Sequence, residues 1–321
     1  MRRWVVTLIL LLAVCAIVLF RPLEVPEFRS HPHPASGYED ALARVEVLSA
    51  EDGPDIAPEC GTRLMTHGKR ARRVFVLLHG LTNCPAQFRV LGESLYVRGA
   101  NVLIPRLPHH GLADRMTGDL DRLEAAEMCR WGDRVLDAAS GLGDSVTVVG
   151  LSLSAVLAAW AAEERPDVAH AVIIAPMFGP HLAPGMLTPA ATRLLLSQHG
   201  KFIWWDDKRR EHLRGPRHVY PRFSMHAAGE VMRLGASVLD VARRRPLRAS
   251  TALVVTVGSD GAIDNGAAAA LARAWESHRE GAARVYEFPA RLELNHDIID
   301  PEQVGGNPAL VYPVLLGLMG S

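Results

Sequence analysis

The stretch that decides the fold is Val146-Thr-Val-Val-Gly150-Leu-Ser152-Leu-Ser154-Ala155, which continues as an alanine-rich run to Ala162. A β-branched run enters a tight turn that carries Ser152, and the chain then becomes helical. This order is typical of a nucleophile elbow, a strained strand-to-helix turn that holds a serine hydroxyl clear of the backbone. Ser152 is therefore the predicted nucleophile. Ser154 stands where such a motif has its second glycine, and it is the competing candidate, although it falls about half a turn into the helix.

The composition is that of a globular protein with a sizeable core. Of the 321 residues, 49% are hydrophobic and 22% are charged, and the formal net charge is zero. These values are ordinary for a globular protein of this length. Since binding to phosphates needs a positive surface, the sequence predicts no nucleic-acid partner.

The N-terminus has the composition of a membrane segment. Met1-Arg-Arg3 precedes an uncharged run from Trp4 to Phe20, which would span about 25 Å as a helix. The alternatives are a cleaved signal peptide and a retained anchor. No small-residue cleavage site follows the run, because residues 17–20 are bulky. The sequence favours a single-pass anchor over residues 1–21, with the rest of the chain outside the cytoplasm.

The remaining chain divides into three regions. Residues 22–59 begin with a proline-rich stretch, expected to be a linker, and contain a predicted short helix from Tyr38 to Leu48. Strands and helices then alternate from residue 60 to residue 321, which predicts a parallel sheet covered by helices. Residues 177–250 contain no clear core strand and are too many for a bare loop, so we interpret them as an inserted helical cap.

Apolar runs and their boundaries place the individual elements. Val74–Leu78 is a continuous apolar run, typical of a buried central strand. Strands are predicted at 74–78, 101–105, 145–149, 170–175, 251–257 and 283–288, and helices at 86–98, 120–139, 152–164, 265–279 and 308–319.

The loop after the first strong strand is a candidate oxyanion hole. It reads His79-Gly-Leu81-Thr-Asn83. A tetrahedral intermediate carries an oxyanion that needs preorganised N–H donors. A loop directly after a central strand can aim the amide of Leu81 at that position, and the amide of Leu153, next to the nucleophile, supplies a second donor. His79 itself is expected to be a hydrogen-bonded structural histidine.

The candidate acid and base follow the serine along the chain. Asp260 comes directly after the strand at 251–257, at the end of the sheet where catalytic sites collect. Asp264 is the alternative acid, although its position also suits a cap for the next helix. Among 14 histidines, His296 lies in the loop after the last strand and fits the expected order. It would take the proton of Ser152 while Asp260 orients the imidazole.

Together these motifs resemble those of the α/β-hydrolase superfamily, and in particular its carboxylesterase and monoacylglycerol-lipase-like branch. The matching stretches, in the family's order, are His79-Gly-Leu-Thr82, Pro105-Arg-Leu-Pro-His-His-Gly111, Gly150-Leu-Ser-Leu-Ser154, Gly258-Ser-Asp260 and Asn295-His296. The resemblance implies an α/β fold with a mostly parallel eight-stranded sheet flanked by helices, one antiparallel strand, and a helical cap after the sixth strand. It also implies hydrolysis of an acyl ester through an acyl-enzyme, without a metal or organic cofactor.

The same triad serves more than one chemistry, because a fold does not determine a substrate. A thioesterase, a peptidase and a cell-envelope acyltransferase use the same residues, and some members of such folds are catalytically silent binding modules. The interpretation favoured here is a carboxylic ester hydrolase that holds an acyl chain beneath the cap.

The resemblance also bears on the cysteines. Cys15 falls in the anchor, which leaves Cys60, Cys84 and Cys129. If residues 63–66 form the family's antiparallel second strand, Cys60 begins it on the edge of the sheet that also carries Cys84. A bridge between these two would brace the oxyanion loop in an oxidising compartment, and two free buried thiols are the alternative.

Overall fold

The computed structural model of the protein describes Trp4, Thr7, Leu23 and residues 25–206, 215–303 and 305–320. Apart from Trp4 and Thr7, the expected anchor over residues 1–21 lies outside this set. Within the described ranges, no helix combines the length and the apolar character needed to cross a membrane.

A seven-stranded sheet forms the centre of the described chain. In chain order the strands of the described residues are β1 (Arg63–Met65), β2 (Ala71–Leu78), β3 (Asn101–Ile104), β4 (Gly143–Leu151), β5 (Val168–Ile174), β6 (Phe202–Trp204), β7 (Arg222–Ser224), β8 (Thr251–Val257) and β9 (Ala283–Phe288). The order in the sheet is β1-β3-β2-β4-β5-β8-β9, and every neighbouring pair is parallel except β1 with β3. Strands β6 and β7 form a separate antiparallel pair.

Eight α-helices accompany the strands in the described residues. In chain order they are α1 (Tyr38–Ala50), α2 (Arg89–Val97), α3 (Ala125–Leu142), α4 (Leu153–Glu164), α5 (Thr188–Leu196), α6 (Met225–Arg244), α7 (Asn265–His278) and α8 (Pro308–Leu318). Helices α2 and α8 pack on one face of the sheet, and α3, α4, α6 and α7 pack on the other.

Both faces of the sheet are buried, as its apolar runs predict. In β2, Val74 and Val76 belong to one hydrophobic cluster, while Phe75 and Leu77 belong to the cluster on the opposite face. This alternation follows from the two-residue period of a strand. Buried strands of this kind fix the sheet, and the loops at their carboxyl ends are then free to carry a site.

The strand count differs from the eight that the resemblance implies. The described residues before β1 form helix α1 and a short 3₁₀ turn at Pro58–Cys60, so no further strand pairs with β1 there. The antiparallel strand itself is where it was expected, at Arg63–Met65.

Residues 25–37 pack against the domain instead of forming a separate spacer. They run along helix α3, where the backbone N–H groups of His31 and His33 donate to the carboxylates of Asp133 and Asp137, each at 2.9 Å. The prolines prevent regular structure in this stretch, but side chains of the domain satisfy its backbone groups.

Those aspartates are fixed from the other side by Arg165, whose side chain is fully buried. Its guanidinium lies 2.9 Å from Asp133, 2.7 Å from Asp137 and 2.7 Å from Asp167. Burial alone would lower the pKa of Arg165, but the three carboxylates outweigh it and raise that pKa above its usual value. The cluster holds α3, the end of α4 and the N-terminal stretch together.

The interval interpreted as a cap has two structural parts. Helix α6 packs against α4, α5 and α7 and buries one face in the main core, so it belongs to the helix layer of the sheet. The described residues between β5 and α6 include α5 and the β6–β7 pair, and several of them line a cavity together with residues at the carboxyl ends of the central strands.

Candidate active site

Ser152 occupies the turn between β4 and α4 in a strained conformation. Its φ of 59° and ψ of −109° lie outside the regions that side-chain-bearing residues favour. Two backbone hydrogen bonds fix the turn: the N–H of Ser152 donates to the carbonyl of Ile174 at 2.9 Å, and its own carbonyl accepts from the N–H of Met177 at 3.1 Å. The predicted elbow is therefore present, with Ser152 at its tip.

Positions 150 and 154, on the two sides of Ser152, differ in the space available to a side chain. A Cβ on Gly150 would lie 2.0 Å from the carbonyl oxygen of Ser154, so only glycine fits at position 150. Ser154, at the position of the missing second glycine, is fully buried, and its hydroxyl donates to the carbonyl of His79 at 2.5 Å. The departure from the motif is thus accommodated by a hydrogen bond between α4 and the end of β2.

His296 and Asp260 form a close pair. The Nδ1 atom of His296 lies 2.6 Å from Oδ2 of Asp260. Burial acts to raise the pKa of Asp260, but the hydrogen bond and charge of His296 and the N–H groups of Ala262 and Ile263 outweigh it, and that pKa lies below its usual value. An ionised carboxylate at this distance assigns the proton to Nδ1, which leaves Nε2 as a proton acceptor.

The alternative acid has a different role. The carboxylate of Asp264 accepts a hydrogen bond from the N–H of Gly266 at 2.9 Å and caps helix α7. The structure thus places Asp260, and not Asp264, against the imidazole.

Ser152 and His296 line the same cavity, which has a volume of about 430 Å³. Within the described residues, no hydrogen bond joins the Ser152 hydroxyl to His296. Such bonds are often long in the absence of substrate and shorten when it binds. The apolar part of the wall comes mostly from the segment between β5 and α6. Its members are Met177, Trp205, Val219, Tyr220 and Pro221.

The amides of Leu81 and Leu153 are both available as donors. Leu153 is the first residue of α4, where a backbone N–H has no partner within the helix. Neither amide has an acceptor among the residues that the structure describes. Both leucine side chains are buried, which fixes the two backbones on either side of the nucleophile.

Two buried histidines support the loop that carries Leu81. The Nε2 atom of His79 accepts from the N–H of Leu107 at 3.2 Å, and burial lowers the pKa of His79 well below its usual value. His110 places Nε2 2.7 Å from the carbonyl of Leu81 and Nδ1 2.7 Å from that of Pro108. Burial lowers the pKa of His110 to about 4, although the two carbonyls act to raise it. The structural role expected for His79 agrees with these contacts.

A disulfide lies beneath the same loop. Cys60 and Cys84 are bonded, with their Cα atoms 5.2 Å apart. A Cβ on Gly111 would lie 2.9 Å from Cβ of Cys60, so the glycine that ends the second matching loop makes room for the bridge. Cys129 is a free, buried cysteine.

The segment between β5 and α6 is hydrogen-bonded to the loop after β2, which carries Leu81 and Thr82. Trp205 donates from Nε1 to the hydroxyl of Thr82 at 2.9 Å, and the N–H of Tyr220 donates to the carbonyl of Thr82 at 2.7 Å. The hydroxyl of Tyr220 in turn accepts from the N–H of Leu112 at 2.9 Å. These bonds connect the apolar wall of the cavity to the loop after β2.

A second contact joins the segment between β5 and α6 to the loop that carries His296. The Nε2 atom of His218 lies 2.6 Å from Oδ2 of Asp300, and both side chains are buried. The segment between β5 and α6 therefore contacts both the loop after β2 and the loop that carries His296.

The sequence does not predict roles for several residues of this site. His110 belongs to a stretch that matches the family, and no local pattern indicates a function for Trp205, Tyr220 or Asp297. Asp297 is adjacent to His296, but its partner Gln87 is 210 positions away, so no local pattern reveals the contact. Within the described residues, no group of three or more His, Cys, Asp or Glu side chains has the arrangement of a metal site.

A parallel sheet with a serine at the strand-to-helix turn and a histidine–aspartate pair beyond it defines the α/β-hydrolase class. The model of the alpha/beta hydrolase family matches residues 75–300, and this chain belongs to that family. The resemblance noted in the sequence is thereby confirmed.

The comparisons also identify relatives with known activities. A thermostable monoacylglycerol lipase of Bacillus sp. (strain H-257) is 31% identical over 118 residues, which are 35% of this chain and 44% of that lipase. The match thus spans less than half of that relative.

Two solved structures share the fold. A structure reported for LipS and LipT, two metagenome-derived lipolytic enzymes, has a TM-score of 0.61 at 17% identity, covering 83% of this chain and 99% of the other. The monoacylglycerol lipase of Paleococcus ferrophilus has a TM-score of 0.61 at 18% identity, with coverages of 80% and 98%.

Proposed function

We propose that this protein is a serine hydrolase that cleaves carboxylic esters, with Ser152 as nucleophile, His296 as general base and Asp260 as the residue that orients the imidazole. The observation that carries the proposal is the 2.6 Å contact between His296 and Asp260 on a cavity that also exposes the strained Ser152. The lipases and esterases among the relatives support an ester as substrate.

In the proposed first half-reaction, the Ser152 oxygen attacks the ester carbonyl carbon while Nε2 of His296 accepts its proton. The electron pair of the carbonyl moves onto oxygen, and the amides of Leu81 and Leu153 donate to this oxyanion. The ionised Asp260 stabilises the imidazolium. Collapse of the intermediate expels the alcohol, which takes the proton from His296. Water then repeats the sequence on the acyl-enzyme and releases the acid.

The cavity favours an ester with an apolar acyl or alcohol group. Trp205, Val219, Tyr220 and Pro221 form part of the apolar wall, and we propose that the segment between β5 and α6 acts as the cap over the bound chain. Burial raises the pKa of Tyr220 to about 12, so its hydroxyl stays protonated and neutral beside such a chain.

Labelling with a fluorophosphonate probe tests the nucleophile. We expect the wild type to be labelled, Ser152→Ala to be unlabelled, and Ser154→Ala to be labelled as the matched control. An unlabelled wild type, or equal labelling of Ser152→Ala, would refute the proposal and favour a catalytically silent binding module.

A series of p-nitrophenyl esters of increasing chain length, assayed with and without an alcohol acceptor, tests the reaction. Ester hydrolysis requires that the free acid is the main product in both conditions. A predominance of the transesterified product would instead identify an acyltransferase, and turnover confined to thioester or amide analogues would identify a thioesterase or a peptidase.

We also propose that residues 1–21 anchor the protein in a membrane with the catalytic domain outside the cytoplasm. The apolar run between flanking arginines and the Cys60–Cys84 disulfide support this location, because structural disulfides persist in oxidising compartments. Membrane fractionation combined with N-terminal sequencing of the mature protein tests it. A soluble product that lacks the first residues would show a cleaved signal peptide.

A further inference from the structure

The residue after the proposed base, Asp297, holds a carboxylate that accepts four hydrogen bonds. Its Oδ1 accepts from the N–H groups of Ile299 at 3.1 Å and Asp300 at 3.0 Å, which fixes the carboxylate in its own loop. Its Oδ2 points across the cavity edge and accepts from Nε2 of Gln87 at 2.7 Å and Nδ2 of Asn83 at 3.2 Å. Asp297 is therefore bonded to both loops that border Ser152.

The contact continues from Gln87 to the backbone of the oxyanion loop. The Oε1 atom of Gln87 accepts from the N–H of Gly80 at 2.9 Å. Gly80 immediately precedes Leu81, the proposed oxyanion donor. Gln87 and Asn83 are both buried, so water does not compete well for these bonds.

The direction of this chain of bonds depends on the carboxylate. A glutamine side chain can rotate by 180° and exchange its oxygen and nitrogen at little cost. If Gln87 rotated, its NH₂ group would face the N–H of Gly80, and two donors would oppose one another. A carboxylate has only acceptors, so Asp297 permits the one orientation in which Oε1 of Gln87 receives the Gly80 N–H.

We propose that Asp297 is a positioning residue that, through Gln87, holds the Gly80–Leu81 backbone where the Leu81 amide can donate to the oxyanion. This inference rests on the proposed function. The donors of an oxyanion hole act only if they lie within hydrogen-bond distance of the oxygen as its charge develops. A displaced Leu81 amide therefore weakens binding of the transition state more than binding of the ester.

Reversing the polarity of the pair distinguishes positioning from simple packing. In Asp297→Asn, the introduced amide has one oxygen and one NH₂ group. If the NH₂ group faces Gln87, it opposes Nε2 of Gln87; if the oxygen faces Gln87, the NH₂ group opposes the backbone N–H groups of Ile299 and Asp300. In Gln87→Glu, two carboxylates face each other. In the double variant, the carboxylate introduced at position 87 accepts from both Gly80 and the amide at position 297. The link to Gly80 is then restored in the opposite sense, although Nδ2 of Asn83 faces a donor at position 297.

The experiment measures kcat and KM on p-nitrophenyl butyrate for the full-length wild type, both single variants and the double variant. For Asp297→Asn we expect kcat to fall about 10- to 100-fold with KM within about threefold, the pattern of a transition-state contact. The kcat of the double variant should be at least about tenfold higher than that of Asp297→Asn. Glu293→Gln, an exposed change in the same loop after β9, is the control and should leave both constants unchanged.

The outcomes separate this inference from the proposed function. A wild type that fluorophosphonate does not label overturns both. A labelled wild type whose double variant is no faster than the slower single variant overturns the positioning role alone. The same is true if Asp297→Asn raises KM and leaves kcat unchanged. Thermal unfolding of each variant shows whether a loss reflects unfolded protein, and recovery in the double variant is a readout that a purely structural defect would not give.

Discussion

The hydroxyl of Ser154 donates a 2.5 Å hydrogen bond to the backbone carbonyl of His79. Ser154 lies in the first turn of α4, and His79 directly follows β2, so the bond joins the two elements that carry the proposed oxyanion donors. At this position the family's motif has a glycine, which leaves the approach of helix and strand to packing alone. In this chain a hydroxyl group fills the space and adds a polar contact.

Loss of that contact should destabilise the fold without removing the nucleophile. In Ser154→Ala the buried carbonyl of His79 loses its partner, which we expect to cost about 1 to 3 kcal/mol in the free energy of unfolding. Denaturant unfolding measures this cost. Fluorophosphonate labelling of the same variant should persist. A variant that is stable but unlabelled would show that Ser154, and not Ser152, is the nucleophile.

The two candidate aspartates should respond differently to the same substitution. Asp260→Asn replaces the acceptor for Nδ1 of His296 with an amide that can force the wrong imidazole tautomer, and kcat should fall by about 10⁴-fold. Asp264→Asn retains a side chain that caps α7 well, so kcat and stability should change little. Steady-state assays of the matched pair decide the assignment, and an equal loss in both variants would contradict it.

The disulfide should make a large contribution to stability. It closes a loop with a sequence separation of 24 residues, for which chain entropy predicts a stabilisation of about 3 to 4 kcal/mol. The double variant Cys60→Ser/Cys84→Ser should unfold at correspondingly lower denaturant concentration, and a reductant should destabilise the wild type but not this variant. Cys129→Ala is the control, because Cys129 is buried but unpaired. Its response to reductant should match that of the wild type.

Glu163 should make stability depend on pH. Burial is the largest influence on this carboxyl and raises its pKa well above the usual 4.5, although Trp275 donates to it at 3.0 Å. A raised pKa means that the folded protein keeps a proton that the unfolded chain has lost. Stability therefore falls as pH rises from about 4.5 through the raised pKa of the folded state.

Glu163→Gln removes this titration and retains an acceptor for Trp275. The free energy of unfolding of the variant, relative to that of the wild type, should increase as pH rises above about 4.5. Thermal unfolding of both proteins above this pH measures the gap. A gap that is constant with pH would contradict the raised pKa.

Much of the fold follows from local patterns. Strands β8 and β9 occur at the predicted residues 251–257 and 283–288, because buried apolar runs bounded by polar turns have little freedom. The long helix α3 begins at Ala125 rather than near Leu120, since a 3₁₀ turn occupies Asp119–Arg122. The ends of helices depend on such local hydrogen bonds and are less evident from periodicity.

The site was predictable where a residue follows a strand. Ser152 and Asp260 lie within three residues of the carboxyl end of a strand, and His296 lies in the loop after the last strand, so chain order predicts all three. The bonds from Trp205 and Tyr220 to Thr82 connect elements more than a hundred residues apart. No periodicity encodes them, because they arise only when the segment after β5 folds back over the sheet.

The N-terminal stretch that lies along α3 has a practical consequence for producing the domain. A truncated protein that starts at Tyr38 would omit the backbone donors of residues 31 and 33 and would leave Asp133 and Asp137 with fewer partners beside the buried Arg165. It would also expose Trp160, whose indole N–H donates to the carbonyl of Phe28. The shortest version suited to expression without the apolar run of residues 4–20 is therefore one that begins near Val25.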